Sequence, residues 1–101
     1  MSLIERNIDA ISRLCNAYAV AQLSVFGSVL TDRFDDDSDI DLLVTFHAMP
    51  VEDYADNYLQ LQAALQDLLG REVDLVEDKA IRNPVFRSQM DRTKVQIYGR
   101  V

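Results

Sequence analysis

Gly27-Ser28, ten intervening residues and then Asp39-Ile40-Asp41 carry the side chains best suited to chemistry in this 101-residue chain. The Gly-Ser pair ends a short apolar run, and the two carboxylates open the next one. A third acid, Asp74, interrupts the apolar stretch Val73-Asp74-Leu75-Val76. Strand side chains alternate between faces, so Asp39 and Asp41 project from the same side. Two acids held that close repel each other unless a cation sits between them. Asp41 and Asp74 both fall in runs that read as buried strand, where an unpaired carboxylate is costly. If those strands are neighbours, three carboxylates converge at one end of a sheet. Mg²⁺ is usually held by carboxylates together with substrate phosphate oxygens. A glycine lets the backbone approach a phosphate closely, and the amides of a starting helix, with a serine hydroxyl, donate to its oxygens. The chemistry expected is therefore the handling of a phosphate beside a divalent metal.

Other sites fit less well. An EF-hand counted from Asp35 would need glycine at its sixth position and glutamate at its twelfth, and those places hold Ile40 and Phe46. Asp35, Asp36 and Asp37 then read as solvated loop residues. There is no Walker A sequence and no Gly-x-Gly-x-x-Gly, so neither a P-loop nor a dinucleotide-binding fold is indicated. His47, the single histidine, reads as a loop or strand-edge residue and makes no zinc site. Lys79 and Arg82 are candidates for phosphate contacts, although each reads more readily as an ordinary surface charge.

The elements that would position these residues follow from periodicity and punctuation. Ile4, Ile8, Ile11, Cys15 and Tyr18 recur at helical steps, predicting one amphipathic helix over residues 2–19, with Ser2 as N-cap and Glu5 three residues on. A strand is expected over 22–26, then a brief helix from Ser28. The clearest strand is 39–46, with Ile40, Leu42, Val44 and Phe46 on one face. A long helix over 51–69 carries the stripe Tyr54, Tyr58, Leu61, Leu65 and Leu68 and ends at Gly70. A third strand spans 72–77. Asn83-Pro84 reads as an N-cap with proline at the first helical position, opening a short helix to Asp91. Residues 94–98 have strand character. Helices alternating with strands predict a small α/β domain, a mixed sheet flanked by helices.

Composition narrows the setting. The length suits one domain, residues 1–101, and no apolar run approaches the roughly 20 residues of a membrane span. The single cysteine, Cys15, forms no internal disulfide, which suits a cytoplasmic location. It is expected to be buried and inert on the first helix. A net charge of −7 argues against a protein built to grip a nucleic-acid backbone. The charge is uneven: acids crowd Asp32 to Asp41, while Lys79, Arg82, Arg87, Arg92, Lys94 and Arg100 lie towards the C-terminus. Such a division suits a site for metal and polyphosphate, or docking of a charged partner. A homo-oligomer is compatible with it.

With these residues in view the chain resembles a known family. Leu23-Ser24-Val25-Phe26-Gly27-Ser28, Ser38-Asp39-Ile40-Asp41-Leu42-Leu43-Val44, Val73-Asp74-Leu75-Val76 and Val95-Gln96-Ile97-Tyr98, behind a leading helix, look like the signature of the DNA-polymerase-β-type nucleotidyltransferases. More narrowly they resemble the minimal nucleotidyltransferases (MNT), which include MntA-like antitoxins. The resemblance implies a two-metal site in which Asp39, Asp41 and Asp74 hold Mg²⁺. Asp74 would also help deprotonate an acceptor hydroxyl, and Gly27 and Ser28 would grip the triphosphate of ATP. Many members follow Gly-Ser with an arginine-containing helix. Here Val29, Leu30 and Thr31 intervene before Arg33, the nearest arginine for that role. The family is typically paired with a HEPN-domain ribonuclease toxin, which implies AMPylation of a toxin tyrosine. At this length no second domain is expected to bind the acceptor, so a partner protein would complete that site. The alternative is a catalytically degenerate module that neutralises its partner by contact alone.

Overall fold

A computed structural model describes residues 2–27 and 38–99. In chain order the elements are α1 (Ser2–Arg6), α2 (Ile8–Ala17), β1 (Val20–Phe26), β2 (Ile40–Phe46), α3 (Val51–Leu69), β3 (Val73–Glu77), a 3₁₀ turn (Asp78–Ala80), α4 (Pro84–Thr93) and β4 (Val95–Gly99). The strands form one sheet in the order β3-β2-β1-β4. β1 runs antiparallel to both β2 and β4, whereas β2 and β3 are parallel. A parallel pair needs a long crossover, and α3 supplies it. The architecture is the mixed α/β sheet expected.

The leading helix differs from expectation. It breaks at Asn7, whose side-chain Nδ2 donates to the carbonyl of Leu3 at 2.8 Å. Asparagine competes for backbone groups in this way and disfavours helix interiors. β1 also begins at Val20, two residues early, because the chain reverses through Ala19, in the left-handed region at φ 59°. Asn57 of α3 secures that reversal by donating to the carbonyl of Tyr18 at 2.7 Å. Ser2, expected as the N-cap, is instead the first residue of α1. The caps at α3 and α4 are as predicted: Gly70 closes α3 at φ 67°, and the Asn83 side chain accepts from the amides of Val85 and Phe86 at 2.9 and 3.1 Å.

The alternation of β2 sorts its residues. Ile40, Leu42 and Val44 are fully buried in a cluster with Ile4 and Ile11 of α1 and α2, Leu23 and Val25 of β1, Leu61 and Leu65 of α3, and Leu75 of β3. Each such aliphatic side chain contributes about 1.5–3 kcal/mol by leaving water. Cys15 belongs to the same cluster, and burial pushes its thiol up to about 12. Asp41, Leu43 and Thr45 take the opposite face. There Leu43 and Ser24 are buried outside that cluster, as is Met90 of α4. No described helix is long and apolar enough to cross a membrane.

Candidate active site

The sheet register brings two of the predicted acids, Asp41 and Asp74, together. Asp41 lies opposite Phe26 across the β1–β2 ladder and opposite Asp74 across the parallel β2–β3 ladder. Gly27 directly follows Phe26, at φ +77°, and a Cβ built there would stand 2.3 Å from Oδ2 of Asp41. The glycine is thus required twice over, by its backbone conformation and by the carboxylate seated against it. Burial holds the Asp41 carboxyl above the usual aspartate range, and the charges of Asp74 and Asp39 push it in the same direction. Among the described residues no cation pairs with any of the three acids.

Asp74 differs from the sequence expectation. It is exposed rather than buried, because β3 is an edge strand and Asp74 sits on the face away from Val73 and Leu75. Asp39 is exposed as well, just ahead of β2. Ser28 and Arg33, assigned above to the triphosphate, lie outside the described residues, as do Asp35, Asp36 and Asp37. Lys79 is not at the acids: it pairs with Glu77 at 3.2 Å, at the other end of β3. His47 is exposed beyond the far end of β2, and its backbone N–H donates to Ala19 O at 2.8 Å.

Four polar residues of α3 and the loop after it belong to the site's frame and were not singled out from the sequence as site residues. Gln62 Nε2 donates to the carbonyl of Val73 at 2.9 Å, and Gln66 Oε1 accepts from the N–H of Val73 at 3.1 Å. The Tyr58 hydroxyl donates to the carbonyl of Leu75. Arg71 Nη1 donates to the carbonyl of Ser38, the residue before Asp39, at 3.1 Å. The legible signal was the four-residue spacing of Tyr58, Gln62 and Gln66, a polar row beside the leucine stripe. Gln62, Gln66, Asp39, Glu72, Val73 and Asp74 together line a groove of about 380 Å³.

Among the described residues no group of three acid, histidine or cysteine side chains forms a ready-made metal cage. Mg²⁺ does not require one. It keeps several waters and is commonly held by one or two carboxylates plus substrate phosphates. Asp41, with its like-charged neighbours and no cation paired with it among the described residues, is the donor such an ion would satisfy. The residues present fit the metal.

Residues 8–100 match the family model described as "Nucleotidyltransferase domain". A Methanocaldococcus jannaschii relative named "Putative protein adenylyltransferase" is 36% identical over 80 residues, 79% of each chain. Among solved structures, one described as "Structure of putative minimal nucleotidyltransferase" superposes with a TM-score of 0.75 at 32% identity, covering 91% of this chain and 90% of that one. A chain from a complex of tri-AMPylated Shewanella oneidensis HEPN toxin with MNT antitoxin shares the fold at a TM-score of 0.65 and 21% identity, covering 95% of this chain and 72% of that one. The chain that sets Asp41 between Gly27 and Asp74, matched by the family model over residues 8–100, belongs to the nucleotidyltransferase domain family, in its minimal branch.

Proposed function

We propose that the chain is a protein adenylyltransferase that transfers AMP from ATP to a tyrosine hydroxyl of a cognate HEPN-domain toxin, and so acts as the antitoxin of the pair. One observation carries the chemistry: Asp41, seated against Gly27 and opposite Asp74, is left with like charges and, among the described residues, no cation paired with it to offset them. The names of the relatives support the type of transfer, and the fold shared with an MNT antitoxin supports the class of partner.

In this reading Asp39, Asp41 and Asp74 hold two Mg²⁺ ions. When bound, the metal neutralises charge on the attacking and leaving oxygens. Gly27 leaves room for the triphosphate beside Asp41, and Ser28 and Arg33 contribute hydrogen bonds and charge to its phosphates. Asp74, exposed at the sheet edge, faces the acceptor and takes the proton of its hydroxyl. The hydroxyl oxygen bonds to the α-phosphorus of ATP, the α–β phosphoanhydride bond breaks, and pyrophosphate leaves. Little covalent chemistry falls to the protein, so positioning and charge account for most of the acceleration.

The test is incubation of the purified chain with Mg²⁺, ATP and the toxin. The expected result is a mass increase of one or more adenylyl groups on the toxin, mapped to a tyrosine and absent when ATP or the chain is omitted. An unmodified but fully neutralised toxin would overturn the reading in favour of inhibition by contact.

A further inference from the structure

β3 is an edge strand, so peptide groups that point away from β2 must find partners outside the sheet. The amide of Ile40 donates to the carbonyl of Glu72 at 3.0 Å, which turns Glu72 towards β2. Strand alternation then turns the groups of Val73 outward, those of Asp74 inward and those of Leu75 outward again. The outward ones are met from α3. Gln66 accepts from Val73 N–H at 3.1 Å, Gln62 donates to Val73 C=O at 2.9 Å, and Tyr58 donates to Leu75 C=O. These three residues are four apart and lie in a row along the helix.

The carbonyl held by Gln62 belongs to the peptide that joins Val73 to Asp74. Asp41 sits in an inner strand with a ladder on each side, whereas Asp74 has one ladder and an exposed side chain that packing does not hold. Edge strands fray first. A displacement of about 1 Å in a reacting group costs on the order of 10²-fold in rate. Both glutamines also line the polar groove shared with Asp39 and Asp74.

We infer that Gln62 and Gln66 are positioning residues for nucleotidyl transfer: they clamp the Val73 peptide groups on the free edge of β3 and thereby hold Asp74 opposite Asp41. The inference rests on the role given to Asp74 above. Its test is the pair of substitutions Gln62→Met and Gln66→Met, which keep side-chain length but remove the donor and the strong acceptor. In the double variant the Val73 amide should exchange with solvent at least about tenfold faster, reporting a loosened edge. The transfer rate at saturating ATP should fall by roughly 30- to 100-fold. Affinity for a non-hydrolysable ATP analogue with Mg²⁺ should stay within about twofold, because Gly27 and Asp41 lie on the β1 side of the site. A parental rate with parental exchange overturns the clamp, and so does a loss of nucleotide affinity as large as the loss of rate. The two single variants are read in the same way and decide the matter if the double variant does not fold. If the parent chain transfers nothing, the proposed function fails, and the exchange of Val73 still decides whether the clamp exists.

Discussion

The two ends of the parallel β2–β3 pair both carry carboxylates on β3, and they treat them in opposite ways. At the far end Glu77, opposite Val44, accepts a hydrogen bond from the Tyr54 hydroxyl and pairs with Lys79 at 3.2 Å. Lys79 also sits 5.7 Å from the centroid of the Tyr54 ring, and Phe46 meets that ring edge-on. The acid there is neutralised by the chain itself. At the near end Asp41 faces Asp74 and Asp39, and among the described residues no cation answers them. Three residues of strand, roughly 10 Å, separate a carboxylate that completes the structure from one that waits for something to bind. The difference teaches where external charge is required: among the described residues the far end supplies its own cation and the near end does not.

The sharpest way to break this contrast is Asp41→Asn, which should lower the transfer rate by about 10³-fold or more, since several kcal/mol of charge stabilisation goes with the metal. The same change should raise the melting temperature in metal-free buffer at neutral pH. The sign follows from the raised carboxyl. With a folded value above the unfolded one, the folded chain binds more protons in the window between them, so stability falls as pH rises through it. At neutral pH the ionised group therefore destabilises the fold, and asparagine removes that cost. The gain should shrink as the pH falls towards 3.8, the ordinary aspartate value, and vanish below it, where the carboxyl is protonated in both states. Melting curves of both proteins from neutral pH down to that value make the comparison, and a variant less stable than its parent throughout would contradict it.

Gly27→Ala comes next in size. Its methyl would meet Asp41 Oδ2 at 2.3 Å, and alanine at φ +77° carries strain of its own. A loss of roughly 10²-fold in transfer is expected from displacing the carboxylate. About 1–2 kcal/mol of stability should go with it, because left-handed backbone is unfavourable for a residue with Cβ. Transfer assays and denaturant unfolding check the two halves separately.

These positions show what the sequence made legible. Alternation set Asp41 on the face opposite Ile40, Leu42 and Val44, and an acid inside each of two apolar runs led to the neighbouring strands. The caps at Gly70 and Asn83 were readable because each answers a local backbone need. Three features were not readable, for different reasons. The break at Asn7 depends on a single side-chain bond to Leu3 within an otherwise unbroken helical periodicity. The exposure of Asp74 depends on strand order, which puts β3 at an edge, and nothing local to Val73-Asp74-Leu75 encodes that. The role of Gln62 and Gln66 is tertiary: a polar row on a helix reads as a solvated face until the helix is laid along an unpaired strand.

Titration with Mg²⁺ sharpens the contrast without any turnover. A ligand present at about 100 times its dissociation constant stabilises the folded state by about 2.7 kcal/mol. The parent chain should therefore melt higher as Mg²⁺ is added, and more so with an ATP analogue. Asp41→Asn should show little of that rise. An equal rise in both proteins would place the cation somewhere other than beside Asp41.

The smallest effect is expected at the far end, and it is the control on which the comparison turns. Glu77→Gln keeps an oxygen to accept from Tyr54 and loses only the charge facing Lys79, whose side chain is 79% exposed. Exposed pairs of this kind contribute about 0–1 kcal/mol, so stability should change by no more than that and transfer should match the parent. The Tyr54 phenol, raised by burial and then by its bond to Glu77, should shift back towards the ordinary tyrosine range, visible as phenolate absorbance at alkaline pH. A loss of transfer in this variant comparable to that of Asp41→Asn would mean that the two ends of the strand pair are not electrostatically separate, and the assignment of one to structure and the other to chemistry would fall.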